Sequence, residues 1–193
     1  DLKELGAIVY YYTNNSLREV ITRNFKVTPY DDNLRYDYWV PAMSLAYLLK
    51  KDSPGNEAYL TPNPVSVIKW KQKLEQYGNI IALNWTGDQG HAENRFREIP
   101  IEYLAYKLKD KGTLVSICLD AKHCPAGIVD LTKDIKTWDD TLAILSLSSS
   151  CYTSCTSVVH AAGALGTKTN LYDLVLGYFT WSDAKSGQKD RKS

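Results

Sequence analysis

NIIALNWTG, residues 79–87, holds four consecutive apolar residues, Ile80 to Leu83, with no polar position between them. A strand with one wet face alternates polar and apolar side chains, whereas a strand covered on both faces need not. The stretch therefore reads as a strand of a parallel sheet that ends in Trp85, Thr86 and Gly87. Upstream, YLTPNPVSVIKWKQKLEQYG (59–78) offers Asn63 as an N-cap, Pro64 at the first helical position, and Val67, Trp70, Leu74 and Tyr77 at helical spacing before a glycine stop. Downstream, Pro100 opens a helix with Ile101, Leu104, Ala105 and Leu108 on one face. TLVSICL (113–119) is then a strand, TWDDTLAILSLS (137–148) a helix, and CYTS, a helix from Thr156 and KTNLYD (168–173) continue the series. This alternation predicts an α/β fold, a Rossmann-like doubly wound parallel sheet with ligands at the carboxyl ends of its strands.

The first sixty residues have a similar rhythm on a smaller scale. GAIVYYY (6–12) is rich in β-branched and aromatic residues, SLREVITRNF (16–25) is a helix capped by Ser16, and FKVTPY (25–30) is extended. YDYWVP (36–41) reads as a short strand stopped by Pro41, and MSLAYLLKK (43–51) as a short helix before the turn SPGN. Two domains are expected: 1–60, the tail of an α/β unit, and 61–193, the sheet built around NIIALNWTG. The chain starts at Asp1 and enters a strand almost at once, which predicts that sequence is missing ahead of it.

Composition narrows the function classes. Of 193 residues 44% are hydrophobic and 23% charged, and 23 basic against 22 acidic residues leave a net charge of +1. Such a chain has no overall field to gather nucleic acid or an anionic membrane, so an anionic ligand must be held locally. No apolar run approaches the roughly 20 residues that span a bilayer, and the amino terminus lacks the sections of a signal peptide; a cytoplasmic location is expected. Cys118, Cys124, Cys151 and Cys155 match neither a common zinc pattern nor a C-x-x-C pair, and are expected to be free thiols. No metal site is expected. Without a G-x-S-x-G turn, a G-x-G-x-x-G fingerprint or a Walker loop, serine hydrolases, generic nicotinamide dehydrogenases and P-loop enzymes lose ground.

Three segments are placed to carry chemistry. In TSCTSVVHAAGALG (153–166), the first turn of a helix follows a strand, and its N–H groups and dipole favour an anion. Thr156 and Ser157 add hydroxyls, and His160 lies four residues after Thr156, about one turn along. A plain capped helix with a core histidine is the competing account. NWTGDQGHAENRFREIP (84–100) follows the strand that opened this section: Thr86 and Gly87 offer a hydroxyl and an approachable backbone, His91 lies in the loop, and Arg95 and Arg97 can fork hydrogen bonds onto a diphosphate. The competing account is a solvated loop with both arginines paired to Glu93 and Glu98. In GYFTWSD (177–183), Tyr178, Phe179 and Trp181 can wall a pocket or simply pack a core.

The order of these motifs resembles the carboxyl-terminal half of bacterial glycosyltransferases often fused to tetratricopeptide repeats, related to lipopolysaccharide heptosyltransferases and more remotely to O-linked N-acetylglucosamine transferases. The matching residues are Trp85, Gly87, His91, Arg95, Arg97, Ile99 and Pro100, then Thr156, His160, Ala162, Gly163, Ala164, Leu165 and Gly166. YDYWVPAMSLAYLL (36–49) and YLTPNP (59–64) are similar to the crossing between that family's two domains.

The resemblance implies a GT-B architecture, in which 1–60 is the remnant of the acceptor-side domain and 61–193 binds the nucleotide-sugar donor. It implies metal-independent sugar transfer, with inversion, to a glycan, lipopolysaccharide or protein acceptor, and no cofactor. Thr86, Gly87, His91, Arg95, Arg97, Thr156, Ser157 and His160 would hold the donor, with Trp85, Cys155, Tyr178 and Trp181 as possible walls. The catalytic base would come from the first domain and has no assigned residue. Cys155 stands where the family often has aspartate, Ala92 where it commonly has lysine, and the family's glycine-rich acceptor loop is absent. These departures keep open a catalytically degenerate module binding a glycan, nucleotide or partner protein; another nucleotide-sugar enzyme such as an epimerase could use the same phosphate site, though it would leave Arg95 and Arg97 less explained.

Overall fold

Every residue of β3, Ile80–Asn84, is buried, as expected of a strand with helices on both sides. In the computed structural model, which describes residues 2–50, 57–92, 94–173, 182–183 and 187–188, the chain divides into two units, Asp1–Glu57 and Ala58–Ser193. The second unit is an α/β layer structure around β3. It runs α3 (Pro64–Leu74), β3, α4 (Asn94–Arg97), α5 (Ile101–Leu108), β4 (Thr113–Ser116), β5 (Val129–Asp130), α6 (Trp138–Leu147), β6 (Ser150–Ser154), α7 (Ser157–Leu165) and β7 (Thr169–Tyr172).

These strands form a five-stranded sheet in the order β5-β4-β3-β6-β7, every pair parallel. The chain leaves β3 towards β4 and β5, then returns to the other side of β3 for β6 and β7. The order reverses between β3 and β6, and open α/β sheets bind ligands in the crevice beyond the carboxyl ends of such a strand pair. An order of this kind is compatible with a Rossmann-like fold.

The two faces of the sheet follow from the pleat. Ile81, Leu83 and Trp85 point to one side and pack with Ile101, Leu104 and Leu108 of α5. On the other side α3 packs on α6 and α6 on α7. Asn63 caps α3 by accepting from Val65 N–H, with Pro64 at the first position, where the missing N–H costs nothing. A capping box between Thr137 and Asp140 starts α6. The α7 helix stops at Gly166, whose φ of +74° is the left-handed conformation that glycine adopts freely.

The first unit carries much less structure than its sequence suggests. From GAIVYYY and FKVTPY only β1, Tyr10–Tyr11, and β2, Thr28–Pro29, pair, in parallel, joined through a 3-10 turn at Asn15–Leu17 and α1, Arg18–Phe25. Ser16 does not cap the helix; its hydroxyl donates to Asn14 Oδ1 at 2.6 Å. YDYWVP is not a strand, because no neighbouring chain supplies a ladder among the described residues. The expected helix 43–51 shrinks to a 3-10 turn, Ala42–Ser44, and α2, Leu45–Leu48. Val20 is the one buried residue among those described in this unit. A further short antiparallel pair, β8 (Ser182–Asp183) with β9 (Gly187–Gln188), lies near the end of the chain. Among the described residues no helix is long and apolar enough to cross a membrane.

Candidate functional site

The reversal between β3 and β6 brings together the two loops that follow them. Asn84 closes β3 and faces Thr153 across the ladder, on the side of the sheet opposite Trp85. Its amide Nδ2 donates to Thr156 Oγ1 at 2.9 Å and more weakly to Thr153 Oγ1 at 3.3 Å. Thr156 is the N-cap of α7, its side chain also accepting from Val158 N–H. One buried amide thus ties the end of β3 to the start of α7.

A second knot lies in the β3–α5 loop. Asn94, the first residue of the short α4, is 5% exposed. Its Oδ1 accepts from Gly87 N–H at 3.0 Å and from Arg97 Nε at 3.1 Å, while its Nδ2 donates to Thr86 Oγ1 at 2.8 Å. Thr86 Oγ1 also accepts from Gln89 Nε2 at 3.1 Å. Cys118 donates its S–H to Thr86 O at 3.5 Å. Burial pushes that thiol up to about 11 against the opposing hydrogen bonds, and burial pushes Cys151 up to about 12. None of the four cysteines forms a disulfide; Cys118 and Cys151 are buried, Cys124 and Cys155 half-buried. Protonated, desolvated thiols are poor nucleophiles, so Cys118 and Cys151 belong to the framework.

Arg97 joins the two loops. Besides its bond to Asn94, its Nη1 donates to the carbonyl of Cys155 at 3.0 Å, one residue before the α7 cap. Gly87 makes room for it: a Cβ there would lie 2.8 Å from Arg97 Nη2 and 3.1 Å from Thr156 Cγ2. The competing account paired the arginines with Glu93 and Glu98, of which Glu93 lies outside the described residues. Among the described residues Arg97 makes no ion pair. Its two described partners, an amide and a carbonyl, are neutral, and neither cancels the charge of this half-buried guanidinium.

The structure therefore links Thr86, Gly87, Arg97, Cys155 and Thr156 to one another. Arg95 is exposed and lies 4.5 Å from the centre of the Phe96 ring. His91 is exposed in a turn where its N–H donates to Asp88 O and its carbonyl accepts from Asn94 N–H. Ser157 and His160 are exposed on α7. Trp85 is 3% exposed within the core under α5, so it packs the sheet rather than walling the crevice. Tyr178 and Trp181 lie outside the described residues. Sequence reasoning missed Asn84 and Asn94. A polar residue closing an otherwise apolar strand was the available signal for Asn84, because a buried amide needs partners.

Gly87→Ala tests the closeness of the two loops. Arg97 cannot easily swing away while Nε and Nη1 are both engaged, so the new methyl is expected to break the bond to Cys155 and cost about 1–3 kcal/mol, the usual range for overpacking. Urea denaturation of the variant reads this, and a midpoint unchanged from the parent would show that the crevice is looser than the distances state.

No family model, curated protein or solved structure matches this chain.

Proposed function

We propose that the second unit binds the nucleoside diphosphate of a sugar donor at the β3–β6 crevice, as the donor-binding half of a metal-independent, inverting glycosyltransferase of GT-B architecture. The observation that carries this is the Arg97 guanidinium, half-buried, without an ion pair among the described residues, and fixed beside the amino terminus of α7. The dipole of a nine-residue helix and a retained arginine charge both favour a phosphate at that place. In sugar transfer the leaving diphosphate gains negative charge as the anomeric bond breaks. Fixed positive groups that need no rearrangement lower that barrier. Arg97 would take a phosphate oxygen through its Nη2, Ser157 would add an exposed hydroxyl, and Arg95, His91 and His160 would reach the donor from the rim. A glycan, lipopolysaccharide or protein hydroxyl would be the acceptor, and its base would come from outside this unit.

Calorimetric titration of the whole chain with uridine, adenosine, guanosine and cytidine diphosphates and their sugar conjugates tests this. Binding of at least one nucleotide class is expected; silence towards all of them sinks the proposal. A second reading, a module that binds nucleotide or glycan without turnover, is favoured by Cys155, a thiol where the resemblance asks for a carboxylate. Release of free nucleotide from a bound donor in the presence of acceptor glycans would rule it out.

A further inference from the structure

Resting on the donor-diphosphate proposal and deepening it, we propose that Asn94 is a positioning residue that fixes the Arg97 guanidinium in the crevice through a neutral amide acceptor rather than a carboxylate. The amide has one orientation that satisfies its neighbours. Oδ1 meets two donors, Gly87 N–H at 3.0 Å and Arg97 Nε at 3.1 Å, and Nδ2 meets the Thr86 hydroxyl at 2.8 Å. Turned over, it would set its NH2 against both N–H groups and lose two bonds. Three bonds from one side chain that is 5% exposed define the direction in which Arg97 leaves the loop. The far end of that arginine then reaches Cys155 O at 3.0 Å.

The chemical type of the holder matters as much as its geometry. A carboxylate would accept the same two bonds and hold Arg97 at least as well, but it would form an ion pair and cancel the charge offered to a ligand. A neutral acceptor orients the guanidinium without paying it off. An arginine whose only task is to staple two loops gains nothing from that choice, whereas one that must receive an anion does. Asn94 thus acts through Arg97 and does not itself touch the ligand.

Two variants of the whole chain, Asn94→Ala and Asn94→Asp, separate the roles. The readouts are the exchange protection of the Arg97 Nε–H signal by NMR, affinity for inorganic pyrophosphate by calorimetry, and the melting temperature. In Asn94→Asp the Nε–H is expected to stay protected and the fold to stay intact, while pyrophosphate binding weakens roughly tenfold, the size of one charge-assisted contact. In Asn94→Ala both protection and affinity are expected to fall. Undiminished pyrophosphate affinity in Asn94→Asp, or persistent Nε–H protection in Asn94→Ala, overturns the role given to Asn94. Parent protein that binds neither pyrophosphate nor any nucleoside diphosphate sinks the donor proposal itself, a result independent of the Nε–H signal.

Discussion

Asp140→Ala is expected to destabilise the second unit by about 3–5 kcal/mol, the range for removing one partner of a buried charged cluster. Asp140 lies in the first turn of α6 with its side chain 6% exposed. Oδ1 accepts from Trp70 Nε1 at 2.7 Å and Lys69 Nζ at 2.8 Å; Oδ2 accepts from Lys136 N–H at 2.9 Å and Thr137 N–H at 3.1 Å. Alanine would strand the indole N–H of Trp70, itself 0% exposed, and open the capping box. Lys69 is half-exposed and can return to water when its partner is removed. Asp140→Asn keeps an acceptor for Trp70 and is expected to be milder. Urea unfolding of the three proteins gives the order directly, and an alanine variant within 1 kcal/mol of the parent would refute the estimate.

The same carboxylate predicts a pH dependence. Burial pushes its titration up, but the bonds from Lys69, Lys136 N–H, Trp70 and Thr137 N–H win and bring it down to about 2. An unfolded aspartate titrates near ~3.9, so the folded value is the lower one. The stabilisation is then fully present above ~3.9 and is lost as the pH falls through about 2. After discounting for the half-exposed lysine its size is on the order of 1–2 kcal/mol. Asp140→Asn, which cannot titrate there, is expected to lose less stability than the parent between pH 5 and pH 2.

What was legible in the sequence was whatever a local rule governs. The unalternating run at Ile80–Leu83 identified β3 because a strand between two helical layers excludes polar side chains at its centre, and Asn63-Pro64 marked the start of α3 because capping needs only neighbours in sequence. Features that depend on distant partners were not readable. GAIVYYY has strand composition, yet only Tyr10–Tyr11 are paired, since β2 offers two residues and one is Pro29, which cannot donate to a ladder. Val129–Asp130 joins the sheet edge from a stretch too short to leave a pattern. At the crevice, Thr86, Gly87, Arg97 and Thr156 could be picked out by residue type and strand ends. Asn84 left a signal as the polar residue that closes an apolar strand, but Asn94 could not be ranked above other asparagines, because which loop amide turns inward is decided by the fold of the loop around it.

Arg97→Ala is expected to weaken binding of a nucleoside diphosphate by on the order of 10- to 100-fold, since a hydrogen bond to a charged group carries about 1.5–3 kcal/mol. The competing account makes Arg97 a staple between the β3 and β6 loops, because Nε and Nη1 already bond to Asn94 and Cys155. Arg97→Lys separates the two. Lysine keeps the positive charge but has no rigid fork to hold an amide oxygen and a carbonyl together. If the charge is what the ligand meets, the lysine variant should lose the loop contacts and some stability yet retain much of the affinity, with the alanine variant far weaker. A pure staple would make lysine and alanine equivalent in stability and would leave affinity to follow the melting temperature in both. Ionic strength adds a further discriminant, because a charge at the mouth of a crevice is screened by salt whereas a neutral loop contact is not. Affinity of the parent should therefore fall as salt rises, and the alanine variant should show a shallower slope; equal slopes would remove Arg97 from contact with the anion and leave it a structural link.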